Sequence, residues 1–264
     1  MVSWLRLSAA AALLVLALPC RSECGKLVLS ADPDYQPLHW YDGAQLRGAS
    51  IDLATRILDD LQVPYEVRYL GPWKRVLASA AAGDIDMVAT LKRLPERERY
   101  LSYIPTAAFP NPIAIFIDRQ QGFVYHHWHD LKDKRGGVAM GNRSGGAFDR
   151  FAEENLQLHE SGTVDSNFRK LAMGRLDYLV TGLLTGETWL AQHGLSDRYM
   201  AVRPFVSNEK NYFAFVKGSP CARYAEAFDA RLKELVKADI NLRILQAHLA
   251  QLDIKLDGRA LSNR

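Results

Sequence analysis

The side chains that could bind a small charged molecule follow three predicted strands, at the point where each strand ends. The strands cover residues 26–30, 65–69 and 85–90. In an open parallel sheet, the ligand crevice lies beyond the carboxyl ends of the strands. The sequence therefore predicts a single crevice lined by Asp32 and Tyr35 after the first strand, Trp73 after the second, and Thr90, Lys92 and Arg97 after the third.

The elements that hold these side chains form two consecutive α/β units. In the first unit, apolar residues recur at helical spacing over 51–61, with Ser50 as the predicted cap, and a second helix over 73–82 stops at Gly83. Strand and helix alternate, so we expect a parallel sheet with helical crossovers. The second unit begins near Ile113, with strands predicted over 113–117, 137–140, 176–180 and 212–216 and helices over 144–155, 168–173, 185–193 and 221–249.

The N-terminus reads as a secretory signal peptide. A start that includes Arg6 is followed by an apolar stretch over residues 7–18, which is too short to span a bilayer. We expect cleavage near Ser22, so that residues 1–22 are removed and the mature protein is periplasmic. The alternative is a lipoprotein anchored at Cys20, but Ala17 and Pro19 stand where a lipobox has leucine and a small residue.

Charge and cysteine content narrow the function classes. Cleavage after Ser22 removes Arg6 and Arg21, which leaves 31 basic and 30 acidic residues and a net charge of +1, so no nucleic-acid partner is implied. We expect a soluble, two-lobed protein. Cys24 and Cys221 remain, and in an oxidising compartment a pair is more often bridged than free; two separate thiols are the alternative.

Seven segments, taken in order, resemble the signatures of the family 3 extracellular solute-binding proteins, the receptors of polar amino-acid ABC importers. No single segment is specific, but the ordered set covers nearly the whole mature chain. The segments are DPDYQP (32–37), GASIDLA (48–54), Trp73 to Asp86, RERYLSYIP (97–105), DLKDKRGGVAMG (130–141), LAMGRLD (171–177) and FAFVKGS (213–219).

The resemblance implies a type II periplasmic-binding-protein fold, with two mainly parallel sheets flanked by helices. Lobe 1 would comprise residues 23–112 and 212–264 and lobe 2 residues 113–211, with hinge crossings near 110–114 and 208–213. Such a protein is not an enzyme, needs no cofactor or metal, and acts as a monomer that passes a small ligand to an ABC permease. In this fold, Cys24 and Cys221 lie at the end of lobe 1 away from the cleft, where a bridge is geometrically possible.

The resemblance also assigns roles to single residues. In the family, an arginine shortly after the third strand binds the ligand carboxylate, and Arg97 stands at that position. A planar guanidinium suits this role because it meets a carboxylate with two parallel hydrogen bonds. Arg93 and Arg99 are expected to be solvated and paired with Glu96 and Glu98. Lys92 could lie in the pocket or on its rim.

Further candidates come from the walls and from the second lobe. Tyr35, Trp40 and Trp73 are expected to form pocket walls, although core packing is the alternative for Trp40. In lobe 2 a predicted helix begins at Ser144, and free N–H groups at a helix start attract anions. Asn142, Arg143 and Ser144 are therefore candidates there, with a plain N-cap at Ser144 as the alternative.

One position departs from the family pattern. Amino-acid receptors of this family carry an aspartate just past the strand over 176–180, where it neutralises the α-ammonium of the ligand. Here the chain reads Val180-Thr181-Gly182. Either Glu187 or Asp32 replaces that carboxylate, or the ligand is not a standard α-amino acid, because an unpaired buried ammonium is costly. Thr181 is a neighbouring candidate contact.

Two other functions share this fold. A periplasmic enzyme that resembles cyclohexadienyl dehydratase would need a carboxylic acid in the cleft. A ligand sensor would pass occupancy to a signalling partner instead of a permease.

Overall fold

The computed structural model describes residues 23–140, 142, 144, 146–252 and 254. The predicted signal peptide, the alternative lipidation site Cys20 and the candidate Arg143 lie outside these residues. Among the helices it describes, none is both long and apolar enough to cross a membrane.

Lobe 1 is the half of the molecule built around three neighbouring parallel strands. Strand β1 pairs in parallel with β5 on one side and with β6 on the other. Two helices supply the crossovers, as the alternation of the sequence predicts. The first elements in chain order are β1 (Leu27–Ser30), β2 (Asp34–Tyr35), β3 (His39–Tyr41), β4 (Leu46–Arg47), α1 (Ala49–Asp60), β5 (Tyr65–Val67), α2 (Trp73–Ala82), β6 (Met87–Lys92) and β7 (Leu101–Tyr103).

Lobe 2 is the half built around a second parallel group, in which the central strand β9 pairs with β10 and β11. The chain reaches it along one long strand and leaves it along another. These elements are β8 (Phe109–Asp118), β9 (Arg135–Ala139), α3 (Gly146–Asn155), β10 (Gln157–Ser161), α4 (Val164–Ala172), β11 (Tyr178–Gly182), α5 (Leu183–Gln192) and β12 (Tyr199–Val216). Helices α6 (Ala225–Lys237) and α7 (Ile240–Gln251) then return to lobe 1 and pack on α1.

Strands β8 and β12 connect the two halves. They pair in antiparallel fashion over most of their length, and β12 continues past β8 to pair with β6. The resulting sheet has the order β10-β9-β11-β8-β12-β6-β1-β5, with β7 paired to β12. The pairs where the two strands run side by side include Glu209 with Asn111 and Asn208 with Pro112.

Each lobe has its own hydrophobic core. One cluster joins α1, α6 and α7 to the sheet of lobe 1 through residues such as Leu53, Ile57 and Phe228. A different cluster in lobe 2 includes Phe116, Phe168 and Leu179. Cys24 and Cys221 form a disulfide with Cα atoms 4.8 Å apart, so the predicted bridge is present and two free thiols are excluded.

Several element boundaries differ from those predicted. Helix α1 begins at Ala49, so its N-cap is Gly48 and not Ser50. The Ser50 side chain is buried and its hydroxyl hydrogen-bonds that of Thr90. The third strand extends to Lys92, which places Thr90 and Lys92 in the end of β6 instead of after it. The sequence did not predict β2, β3, β4, β7, β10 or residues 199–211 of β12.

Candidate ligand-binding cleft

Two adjoining cavities lie at the carboxyl ends of the lobe 1 strands. The smaller has a volume of about 30 Å³ and the larger about 230 Å³. They share Asp32, Tyr35, Trp73 and Asn142. The small cavity is also lined by His39, Thr90, Leu91, Lys92, Arg97 and Asn211, so all six side chains of the predicted crevice meet here. Lobe 2 contributes Ala139, Met140, Gly162, Thr163 and Val164 to the large cavity.

Arg97 is a buried cation that faces the small cavity. It ends a short 3-10 helix, Pro95–Arg97, which follows β6 after Leu94, and its side chain is only 7% exposed. The guanidinium carbon lies 5.5 Å from the centroid of the Trp73 ring, in the range of a cation–π contact. Within the described chain, the guanidinium has no hydrogen bond or ion pair. This fork is therefore available to an anionic ligand.

Lys92 brings a second buried cation to the same cavity and contacts lobe 2. Its Nζ donates a hydrogen bond to Oδ1 of Asn142, 2.9 Å away. Burial, together with the nearby charge of Arg97, lowers the pKa of Lys92 to about 7, while Asp149 and Glu209 act in the opposite direction. The sequence left open whether Lys92 lies in the pocket or on its rim, and in the structure it lies in the pocket.

Two carboxylates from the turn after β1 line the large cavity. The Asp34 N–H donates to Oδ1 of Asp32 at 3.0 Å, a local bond that Asp-Pro-Asp turns favour. Burial raises the pKa of Asp32 to about 6, against the opposing effects of this bond and of Arg97. Asp34 stays accessible to solvent, but partial burial and the Asp32 charge raise its pKa to about 6 as well. The Val164 N–H at the start of α4 approaches this carboxylate and acts to lower its pKa.

His39 fixes the backbone around these groups. Its Nδ1 lies 2.8 Å from the carbonyl oxygen of Asp32 and its Nε2 lies 2.9 Å from that of Thr90. The ring therefore connects the Asp32 turn to the end of β6. Burial lowers the pKa of His39, although both carbonyl contacts act to raise it.

Tyr35 lies at the bottom of the cleft, next to strands β8 and β12. Its hydroxyl donates to Oδ1 of Asn111 at 2.8 Å, and Nδ2 of Asn111 donates to Oδ1 of Asn211 at 3.3 Å. Burial raises the pKa of Tyr35. Nδ2 of Asn211 is buried and has no hydrogen-bond partner in the residues described.

Gly182, where the family pattern has an aspartate, lies against this chain of hydrogen bonds. A Cβ on Gly182 would be 2.8 Å from the Tyr35 hydroxyl oxygen and 3.1 Å from Oδ1 of Asn111. Both distances are shorter than an ordinary carbon contact of about 3.5 Å. A side chain at position 182 would therefore require Tyr35 and Asn111 to move.

The predicted anion site at the start of α3 is only partly supported. Ser144 is buried, but it lines a separate cavity of about 210 Å³ and not the two at the strand ends. Its N–H donates to Oδ1 of Asp149 at 2.8 Å, so a carboxylate of the helix itself occupies this donor. Asn142 does reach the cleft, and Arg143 lies outside the described residues.

Three other candidates lie away from the cleft cavities. Trp40 packs edge-on against His248 of α7, with ring centroids 5.6 Å apart, and it is half-buried, so it lies neither in the cavity walls nor in the buried core clusters. Thr181 is buried in β11 and lines neither cavity. Glu187 also lines neither; burial raises its pKa, and the opposing charge is that of Arg119 at the far end of β8. Glu187 therefore does not replace the missing aspartate.

The sequence interpretation missed several residues that line the cavities: Asp34, His39, Tyr69, Thr163, Val164 and Asn211. Asp34 and His39 flank predicted site residues, so proximity in the chain could have suggested them. Tyr69 ends the strand predicted over 65–69, so its place at a strand end could also have suggested it. Thr163, Val164 and Asn211 enter the cleft through strand pairing and contact between the lobes, which no local pattern indicates.

Solved structures show the same fold at low sequence identity. A Streptococcus pneumoniae amino acid ABC transporter substrate-binding protein bound to L-arginine has a TM-score of 0.72 at 19% identity, covering 88% of this chain and 97% of that one. A histidine kinase sensor domain also gives a TM-score of 0.72, at 20% identity, with coverage of 85% and 96%. An ancestral arginine-binding protein bound to arginine gives 0.71 at 23% identity, with coverage of 84% and 97%.

These likenesses confirm the periplasmic-binding-protein-like fold. A comparison with curated protein sequences gave no match. The model of the bacterial extracellular solute-binding proteins, family 3, matches residues 27–250, which is most of the chain. The chain therefore belongs to family 3 of the bacterial extracellular solute-binding proteins.

Proposed function

We propose that this protein captures a small carboxylate-bearing molecule, an amino acid or a related polar metabolite, between its lobes and delivers it to an ABC importer. The observation that carries the proposal is the Arg97 guanidinium, which is buried against Trp73 at a cavity with no ion pair in the described structure. A buried guanidinium without a counter-ion is costly, and a bound carboxylate would remove that cost.

The ligand would act by bridging the lobes. Its carboxylate would contact Arg97 and Lys92 of lobe 1, while Asn142 approaches from lobe 2. We assign residues 23–112 and 212–264 to lobe 1 and 113–211 to lobe 2, with the crossings of β8 and β12 as hinges. A ligand that contacts both lobes favours the closed state, which presents a different surface to a permease.

The family is extracellular, which supports export through the N-terminal signal peptide into the periplasm. There the protein would act as a monomer that binds its ligand and then docks on the permease. No bond-making step is part of this proposal.

The test is isothermal titration calorimetry of refolded, ligand-free protein against a defined carboxylate panel. The panel contains L-arginine, L-lysine, L-glutamine, pentanoate, hexanoate, 5-guanidinopentanoate and 6-aminohexanoate. Arg97→Met should weaken the best-binding member by at least about thirtyfold, because truncating one side of a buried charge pair typically costs about 2–5 kcal/mol.

The matched control is Arg93→Met. Arg93 is exposed and pairs with Glu98 at 2.7 Å on the outer side of the same segment. This variant should bind as the wild type does. Equal affinity of the Arg97 variant and the wild type would refute the proposal.

One observation favours a second candidate, an enzyme of the same fold. Asp32 and Asp34 line a cavity with pKa values raised to about 6, which suits a general acid. Incubation with prephenate and arogenate, with absorbance of the aromatic product as the readout, would separate the two functions. Turnover that Asp32→Asn abolishes would establish the enzyme.

A further inference from the structure

We infer that the cleft selects a carboxylate whose cationic group lies at the far end of the molecule and which has no α-ammonium. This inference rests on the proposed function, because it describes the ligand of the same cleft. The inference depends on two observations. The first is which charged side chains line each of the two cavities, and the second is which side chains fill the space beside Gly182.

The small cavity is built to hold an anion. Its volume of about 30 Å³ suits a carboxylate group and little more. Arg97 and Lys92 bring two cations to it, each only 7% exposed. Asn211 also lines this cavity, and its buried Nδ2 has no hydrogen-bond partner among the described residues. Its orientation follows from the neighbouring bond, in which its Oδ1 accepts from Asn111.

The same cavity is unfavourable for an α-ammonium, because among the described residues that line it two cations, Arg97 and Lys92, face one carboxylate, Asp32. An α-ammonium is attached one carbon from the carboxylate, so it would lie beside Arg97 and Lys92. The family position that would neutralise it is Gly182, and the space beside Gly182 is filled by the hydrogen-bonded Tyr35 and Asn111. Among the described residues, no other acidic side chain lines this cavity, and Asp32 lines the large cavity as well.

The large cavity is suited to a cation. Asp32 and Asp34 both line it, together with the aromatic rings of Trp73 and Tyr69. Tyr69 is held by stacking on Tyr41, with centroids 3.8 Å apart. Carboxylates and aromatic faces together attract ammonium and guanidinium groups. A ligand that places its cation in the large cavity and its carboxylate in the small cavity must carry the two groups at opposite ends.

Two matched series within the carboxylate panel test the inference by calorimetry at pH 7.5. The first compares 6-aminohexanoate, L-lysine and hexanoate; the second compares 5-guanidinopentanoate, L-arginine and pentanoate. Within each series, the members differ by the α-ammonium or by the distal cation. We expect the ω-cationic acid to bind at least about tenfold more tightly than the plain acid, which lacks the distal charge pair. We expect the same margin over the α-amino acid, whose α-ammonium would lie beside two cations.

The outcomes separate this inference from the proposed function. If L-lysine or L-arginine binds as tightly as its des-amino partner and Arg97→Met removes that binding, the inference is overturned and the proposed function stands. If the plain acids bind as tightly as the ω-cationic acids, the distal cation site is overturned. Binding by no member of the panel would overturn both the inference and the proposed function.

A pair of variants tests the role of Gly182 directly. Tyr35→Ser makes space beside Gly182, and the double variant Tyr35→Ser with Gly182→Asp adds the carboxylate. Relative to Tyr35→Ser alone, the double variant should shift the preference toward L-lysine over 6-aminohexanoate by at least about tenfold. Circular dichroism verifies that both variants are folded. An unchanged preference between two folded variants would overturn the assignment of Gly182.

Discussion

Nζ of Lys92 lies 2.9 Å from Oδ1 of Asn142 and donates a hydrogen bond to it across the two lobes. The contact forms at the edge of the cavity that Arg97 faces. With a pKa near 7, the ammonium of Lys92 is partly deprotonated at neutral pH in the ligand-free protein. A bound carboxylate would favour the charged form and raise this pKa.

Ligand affinity should therefore fall as the pH rises above about 7. The free protein loses the Lys92 proton near pH 7, whereas the complex keeps it to higher pH, so binding takes up a proton in that interval. The affinity of the best-binding panel member should decrease by up to about tenfold per pH unit. Below about pH 6, protonation of Asp32 and Asp34 weakens the attraction for a cation.

Calorimetry between pH 5.5 and 9 measures this profile. The control is Lys92→Gln, which keeps a donor for Asn142 but cannot titrate. Its affinity should be lower at pH 7 and nearly constant from pH 7 to 9. A wild-type profile as flat as that of the variant would contradict the role of Lys92.

Two tryptophans that the sequence placed together as pocket walls should behave differently. Trp73 lines the cleft and lies within cation–π distance of Arg97, so Trp73→Ala should weaken the best-binding panel member about tenfold or more. Trp40 packs on His248 outside the cavities, so Trp40→Ala should lower the thermal unfolding temperature and change affinity less than about twofold. If Trp40→Ala instead weakened binding and Trp73→Ala did not, Trp40 would be the tryptophan that contacts the ligand. Calorimetry and thermal unfolding of both variants distinguish the cases.

The elements that could be predicted are those with local signals. Helix α2 is marked by Trp73 after Pro72 and by Gly83, whose positive φ of 84° ends the helix. Strand β12 is different, because its first part carries polar residues such as Arg203, Asn208 and Glu209. It is a strand because it pairs with β8 and β6, and those partners are distant in sequence.

The same distinction applies to the site. Arg97 and Trp73 could be predicted because strand ends share one edge of a parallel sheet. The contact of Asp34 with Val164 and the position of Tyr35 beside Gly182 could not, since both depend on how the lobes meet. The absence of an aspartate at position 182 was visible in the sequence, but the presence of Tyr35 and Asn111 in the space beside Gly182 was not.

The substitution Asp32→Asn should stabilise the protein while weakening its binding of a cationic ligand. The folded-state pKa of about 6 lies above the ordinary value of 3.8, so the ionised carboxylate opposes folding at neutral pH. The amide side chain of the variant keeps an acceptor for the Asp34 N–H but has no charge. We expect the free energy of unfolding to rise by about 1–3 kcal/mol at pH 7.5.

The gain should disappear below about pH 4, where the carboxylate is protonated in both states. Urea denaturation at pH 7.5 and pH 4 gives the two differences. A variant that is less stable than the wild type at pH 7.5 would show that Asp32 is stabilised by partners other than those described here.

The disulfide should stabilise the fold without affecting the ligand site. Cys24 precedes β1 and Cys221 follows β12, so the bridge spans 197 residues of chain at the end of lobe 1 opposite the cleft. The double variant Cys24→Ala, Cys221→Ala should lose about 2–5 kcal/mol of unfolding free energy, because its unfolded chain is less restricted. Its affinity for the best-binding panel member should match that of the wild type. Reduced wild-type protein is the control and should lose the same stability; a change in affinity in either sample would show that the bridge acts on the cleft.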